Sequence, residues 1–359
     1  FGGVVALDAV SASFSRPITC GACWMTNTVK RAQQIYAHLL DMAPSDVALD
    51  LLHAQFPLRE REKREKSIRD KYGKDGQRPT KGIVVGTQVL EQSLDLDFDV
   101  MMTDLAPIDL VLQRAGRLHR HEREAGARHA HTTPHLYVNT PLETADKKIY
   151  GEYILARTLA ALETRAFFAL PEDYRPLIEA VYDETPPDAG DPLYAAWHTL
   201  ESQRIKLEDE AELRLMDAPD PDYPFYRSAK PQGFKEDEDS SGWLAAQTRW
   251  GQESLTVIPL IREGETARTP AGDMTAPLNQ AAKRETQLNL LRHSLRLSHQ
   301  TLVKYLKTQP ETAPLFTESA LLRACTPLWL ESDALPVAVT LHPDLGLVIG
   351  ALVEEENDD

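Results

Sequence analysis

The chain has little cysteine. Cys20, Cys23 and Cys325 are the only three in 359 residues, too few for a disulfide framework and in keeping with a reducing cytoplasm. It also lacks any stretch approaching the roughly 18 consecutive apolar residues that a membrane span needs, so no membrane partner is expected. The opening residues, Phe1-Gly2-Gly3-Val4-Val5, carry neither the basic region nor the cleavage pattern of a secretory signal. They also lack a methionine, and a piece of a longer protein is expected. There is no internal repeat. With 42% hydrophobic and 26% charged residues, a wholly disordered chain and a collagen are excluded. At about 150 residues per domain, the length predicts two or three domains.

Positive charge is scarce overall, and the formal net charge is −16. An acidic balance argues against a nucleic-acid partner. The imbalance is local, however. Residues 1–140 hold 18 Lys+Arg against 17 Asp+Glu, while the remainder holds 21 against 38. A polyanion site therefore fits the first part, and a domain boundary is expected near residue 140.

Short apolar runs at 18–25, 47–52, 83–86, 100–103 and 135–138 read as strands. They alternate with helical patterns at 28–40, 59–71 and 109–118, which predicts an α/β domain with a mostly parallel sheet. Residues 141–216 read as a helical connector, helical almost throughout, with helices at 149–162 and 172–182 and another from Pro192 toward Met216. A proline- and acid-rich linker is expected at 217–250. Residues 251–359 read as a small α+β domain. Its expected elements are a strand at 254–261, a basic helix of about 25 residues ending near Lys307, and a closing hairpin at 337–352.

Three segments of the first domain carry chemistry. Trp24-Met25-Thr26-Asn27-Thr28 ends a strand and opens a helix, where small polar residues cap and backbone N–H groups face an anion. A plain cap is the competing reading, and the companion segment Leu52-His53-Ala54-Gln55 also reads as a solvated face. In Gly86-Thr87-Gln88-Val89-Leu90-Glu91-Gln92-Ser93-Leu94-Asp95, a buried strand stops at a glycine, polar side chains follow, and Asp95 is placed to accept from ribose hydroxyls. The alternative there is a capping threonine and a turn aspartate. In Gln113-Arg114-Ala115-Gly116-Arg117-Leu118-His119-Arg120, Asp109 can cap the helix and Gly116 permits close backbone approach. Arg117 and Arg120 share a helical face if the helix continues, and two guanidiniums so placed suit a phosphate. A salt-bridge ladder with Glu122 and Glu124 is the alternative.

In order and spacing these segments resemble motifs IV, V and VI of the second RecA-like domain of superfamily 2 helicases. Their wording is most similar to the CRISPR-associated helicase–nuclease of type I interference systems, as is Pro171-Glu172-Asp173 with Leu177–Tyr182. The resemblance implies a cytoplasmic, ATP-driven, 3′-to-5′ single-stranded DNA translocase feeding a metal-dependent nuclease. It implies ATP contacts from Arg117 and Arg120 as arginine fingers, with Gln113, Gly116 and Asp95 at the nucleotide. It places Asn27, Thr28, His53, Thr87 and Gln88 along single-stranded DNA. Implied partners are an RNA-guided surveillance complex (Cascade) and an N-terminal nuclease/helicase half. Ser93 stands where many relatives have glycine.

Other expected parts are missing. No Gly-x-x-x-x-Gly-Lys-Ser/Thr loop is present to cradle phosphates. Asp209-Glu210 imitates a Mg²⁺-holding pair but falls after motif VI in a charge-alternating helix. The His-Asp cluster that would hold the nuclease's divalent metal is absent too. The chain alone is therefore expected to lack ATPase activity, with the Mg²⁺ ligands in the other half. Two readings remain beside this one: a separately made, non-catalytic helicase tail, and an RNA helicase lobe.

Cys20 and Cys23, three apart in a strand, face opposite sides and read as structural, not as zinc ligands. The histidines at 119, 121, 129, 131 and 135 read as a solvated or DNA-proximal loop, so no metal site is expected. The 283–307 helix carries a net +5, which suits nucleic acid, a partner protein or an exposed face equally.

Overall fold

The computed structural model describes residues 3–9, 21–91, 94–124, 128, 132–140, 144–212, 254–309 and 311–350. Cys20, Ser93, His129, His131 and the 217–250 linker lie outside the described residues. Residues 1–183 and 253–359 form one compact unit, and residues 184–252 form a second.

The first unit is built on a seven-stranded sheet. Its order is β3 (Ala48–Leu52), β4 (Gly82–Gly86), β2 (Gly21–Met25), β5 (Val100–Asp104), β6 (His135–Asn139), β1 (Gly3–Ala9) and β7 (Phe167–Leu170). Six of these strands run parallel, and β7 is antiparallel to β1. Every residue of β4 and β5 is buried, as expected where helices cover both faces and a strand reads as an unbroken apolar run. On one face α2 (Leu58–Tyr72), α3 (Ile108–Ala115), α5 (Glu152–Glu163) and α6 (Tyr174–Val181) pack around Met25, Val84, Met101 and Leu136. On the other, α1 (Val29–Met42) packs through Ala32 and Tyr36 onto Leu51, Ile83 and Val85, together with Leu345 and Val348 from near the far end of the chain.

The expected α/β class holds, with three differences in detail. The connector is not helical throughout, because Phe167–Leu170 forms β7 and pairs with residues 3–6. A four-residue strand whose partner lies more than 150 positions away leaves no local period to read. The long basic helix is two helices, Arg284–Leu291 and Gln300–Lys307, separated by strand β11 (Leu295–Leu297). In β11 both leucines are buried and Arg296 is exposed, a two-residue alternation that pairs with β8 (Leu255–Glu263). Helix α3 stops at Ala115, and its N-cap position is held by Pro107 without a side-chain bond, while Asp109 lies in the first turn and accepts a hydrogen bond from the Tyr182 hydroxyl at 2.5 Å.

In the C-terminal part, β8 pairs with three strands: β9 (Thr266–Arg268), β11 and, in parallel, β12 (Thr326–Trp329). The closing hairpin is β13 (Val339–His342) with β14 (Gly346–Ile349). In the second unit, a helix covers Tyr194–Glu212, which places Asp209-Glu210 within a helix. Among the described residues no helix is long and apolar enough to cross a membrane.

Candidate functional site

Parallel strands present their carboxyl ends at one sheet edge, the usual ligand edge of such sheets. There, β2 is followed by Asn27 and Thr28, β3 by His53, and β4 by Thr87 and Gln88. The five residues read from sequence as a DNA track are thus gathered on three neighbouring strands. Thr28 is the cap of α1, its hydroxyl accepting from the Arg31 N–H at 3.2 Å. Asn27 is buried, its backbone N–H donating to Asp104 and its side-chain amide to the Leu105 carbonyl (2.8 Å) and Asp146 (2.9 Å). Thr87 is buried and caps the following turn of 3-10 helix by position, without a side-chain bond. Gln88 is half-buried and donates to the Asn27 carbonyl and the Tyr150 hydroxyl. Burial raises the Asp104 carboxyl above its ordinary value despite Arg31 at 3.0 Å.

His53 sits differently. It is fully buried, with Nε2 3.0 Å from the Leu345 carbonyl, while Nδ1 accepts from the Gln55 N–H. Burial depresses its pKa to about 3, the hydrogen bond to Leu345 opposing the shift and the Arg64 charge adding to it. The ring is therefore neutral and fully engaged. Gln33 donates from the same side to the Leu345 and Leu347 carbonyls, and the Leu347 N–H donates to the Gln55 carbonyl.

The second group lies toward the opposite edge. Because α3 runs back antiparallel to β5, its end returns to the start of that strand, where Phe98 and Leu118 form a bridge. Arg117 and Arg120 therefore do not share a helix: the helix has ended, Gly116 is its cap, and His119 takes a positive φ of 46°. A Cβ at 116 would lie 3.3 Å from the Gln113 carbonyl of its own helix and in ordinary contact with the Leu112 carbonyl and the Tyr174 hydroxyl, so no foreign backbone explains that glycine. The two arginines are nevertheless neighbours. Burial and the Arg120 charge pull Arg117 below the ordinary guanidinium value, with Asp95 and Glu91 opposing. Arg120 Nε donates to Asp95 at 2.5 Å, a pair left 38% and 54% exposed. Partial burial works against the ionised form of Asp95, but the bond from Arg120 and the charges of His121, Arg120 and Arg117 outweigh it and hold the carboxyl below its usual range. Gln113 is exposed on the last turn of α3. Arg117 Nη2 donates to the Glu91 carbonyl at 2.7 Å, whereas its Nε is buried with no acceptor among the described residues. A buried guanidinium N–H without an acceptor fits an anionic oxygen, so the residues present suit a nucleotide phosphate.

Sequence reasoning missed the residues that hold these loops. Asp97 and Asp99 are fully buried and gripped by Arg78, Arg123 and Arg128, and Asp97 also accepts the Arg120 backbone N–H at 2.9 Å. Arg114 is fully buried against Glu91, Nε to Oε1 2.6 Å. The signal for Arg114 was available: it lies three residues after Val111, on the apolar face of α3. Among the described residues no group of three or more His, Cys, Asp or Glu is placed to hold a metal. Cys23 and Cys325 are buried, and burial raises both thiols.

Two family descriptions match the chain. Residues 19–123 match "CRISPR-associated nuclease/helicase Cas3, C-terminal", and residues 249–347 match "Cas3 C-terminal domain". The CRISPR-associated endonuclease/helicase Cas3 of Thermus thermophilus is 35% identical over 318 residues, which is 83% of this chain and 34% of that protein. The chain belongs to the Cas3 family. It corresponds to the C-terminal helicase part, spanning about a third of the length of the Thermus relative. The crystal structure of T. fusca Cas3-ADP superposes over 96% of this chain and 42% of its own, with 26% identity and a TM-score of 0.74. A chain of a CRISPR RNA-guided surveillance complex, pre-nicking, superposes over 96% of this chain and 44% of its own, with 26% identity and a TM-score of 0.69. These Cas3 likenesses favour a helicase part over a separate non-catalytic module.

Proposed function

We propose that this chain supplies the second RecA-like lobe of an ATP-driven single-stranded DNA translocase that feeds a nuclease in CRISPR antiviral defence. The observation that carries the reading is the meeting of Arg117, Arg120 and Asp95 at one end of the sheet, with an unused Arg117 N–H beside them. ATP and Mg²⁺ would supply the reactive phosphate and its charge neutralisation from a partner lobe bearing the phosphate loop. Arg117 and Arg120 stabilise the charge that develops on the transferring phosphoryl group, and Asp95 holds Arg120 in place. Arginines of this kind contribute about 10³–10⁵ in rate, and only when the remaining site exists. This chain by itself is accordingly inactive, and the divalent metal of the nuclease belongs to the other half.

Asn27, Thr28, Thr87 and Gln88 form the DNA-facing edge. His53 acts at one remove, by seating the C-terminal hairpin beside that edge. The likeness to a chain of a surveillance complex supports docking onto such an RNA-guided assembly. In the full-length protein, Arg117→Ala or Arg120→Ala should abolish ATP turnover while leaving single-stranded DNA affinity within about threefold. If affinity collapsed and turnover per bound DNA survived, the arginines would belong to the DNA track. DNA against RNA stimulation of the same ATPase separates the two nucleic acids.

A further inference from the structure

The DNA-facing and nucleotide-facing groups lie at opposite edges of the sheet. Residues 87–91 follow the carboxyl end of β4, and residues 94–97 precede the start of β5. Glu91 stands at the end of the first stretch, with its carboxylate and its carbonyl facing different arginines. The carboxylate takes Arg114 Nε at 2.6 Å, and the carbonyl takes Arg117 Nη2 at 2.7 Å. Arg114 continues toward the other edge: Nη1 donates to the Thr103 hydroxyl (2.6 Å) and the Asp104 carbonyl (3.0 Å), and Nη2 to Asn27 Oδ1 (3.3 Å). The Asn27 carbonyl accepts from Gln88, whose amide also reaches the Tyr150 hydroxyl at 2.8 Å. Every contact from Tyr150 to Arg117 is thus a hydrogen bond between named atoms.

Stability does not account for the pair at its centre. Both side chains are essentially without solvent contact. A buried ion pair is commonly matched or bettered in stability by apolar residues of similar volume, because desolvation offsets the attraction. What such a pair does provide is directional geometry: each charged group fixes the atoms it touches. We propose that Glu91 and Arg114 are positioning residues that couple the DNA-facing edge to Arg117, so that the polar contacts made by Asn27 and Gln88 set where the finger points. This rests on the reading of Arg117 as a finger.

The test uses the full-length protein. Glu91→Gln keeps the side-chain shape and an acceptor oxygen but removes the charge, and Tyr150→Phe removes the one hydroxyl that sits against both Gln88 and Arg114. With Glu91→Gln, kcat at saturating single-stranded DNA should fall about tenfold or more, since small displacements of a reacting constellation cost up to about 10²-fold. KM for ATP and Kd for the DNA should stay within about twofold, because neither ligand touches Glu91. Tyr150→Phe should lower the same kcat about threefold with an unchanged unfolding temperature, and it decides the matter alone if the glutamate variant does not fold. Unchanged kcat in the folded variants overturns the proposal. So does a parallel loss of kcat, ATP affinity and DNA affinity, which marks a merely structural pair. Arg117→Ala separates the two failures: full turnover there sinks the finger itself, whereas lost turnover beside an unaffected Glu91→Gln sinks only the coupling.

Discussion

Gln33→Ala tests how the C-terminal hairpin is held on the RecA-like domain. Gln33 is 2% exposed, and its Nε2 donates to the Leu345 carbonyl at 2.7 Å and the Leu347 carbonyl at 2.9 Å. Truncation leaves Leu345 with its bond to His53 but deprives the Leu347 carbonyl of its side-chain donor. A buried acceptor left unsatisfied costs about 1–3 kcal/mol, and the space vacated by the amide adds to this. Weakened docking by about 2–4 kcal/mol corresponds to roughly 30- to 1000-fold more frequent opening. The assay is amide hydrogen exchange, read at Leu347, whose N–H donates to the Gln55 carbonyl across the same contact. Its exchange should accelerate by that factor while Val84 and Met101, in the sheet core, change little. Gln33→Glu should be at least as damaging, because a carboxylate facing two carbonyls has no donor to offer. Unchanged protection at Leu347 in both variants would refute the reasoning.

Docking should also depend on pH. The folded His53 pKa, about 3, lies below the usual 6.5, so the released state binds the extra proton. Docking is then complete above about pH 6.5 and is lost progressively as pH falls toward 3, by about 2 kcal/mol at pH 5. Hydrogen exchange at Leu347, corrected for its intrinsic pH dependence, should show this loss, and His53→Gln should flatten it. Asp97→Asn removes a buried charge from among Arg78, Arg123 and Arg128 and weakens the grip on the Arg120 backbone. A cost of about 3–5 kcal/mol is expected in chemical denaturation, together with reduced ATP turnover in the full-length protein. Wild-type stability in that variant would contradict the role assigned to the three arginines.

The sequence made the sheet legible because its central strands are short, wholly apolar and closed by glycine or polar residues, as in Gly82–Gly86. It gathered Asn27, Thr28, Thr87 and Gln88 correctly at strand ends, since a parallel sheet leaves those positions nowhere else to go. It misjudged geometry set by distant partners. Leu295–Leu297 reads as helix until β8 offers an edge, and Arg117 and Arg120 read as one helical face until Leu118 bridges to Phe98. The buried Glu91–Arg114 pair was hidden for another reason. Charged residues read as surface unless a partner is known, and these two partners are 23 positions apart.

The same long-range dependence changes what counts as a mechanical part. Helix α2 begins after Pro57, which has no side chain able to cap it. The N–H groups of its first turn need acceptors from elsewhere. Leu58 and Arg59 donate to the carbonyls of Ser294 and Arg292 at 2.8 and 2.9 Å, Arg59 pairs with Asp273, and Gly346 meets the Gln55–Phe56 turn at a φ of 71°. A few residues, 53–59, therefore receive two separate pieces of the C-terminal part, one at the helix start and one at the hairpin. Lifting either would orphan buried donors or acceptors, and lifting the hairpin would also uncover the apolar side chains of Leu345 and Val348 from the core they share with Leu51 and Val85. On the proposed reading, a displacement of the sheet driven from the Arg117–Arg120 end carries residues 254–309 and 311–350 with it through these contacts. On the same reading, motion that admits a strand beside Thr28 and Gln88 comes from parts of the protein other than this contact.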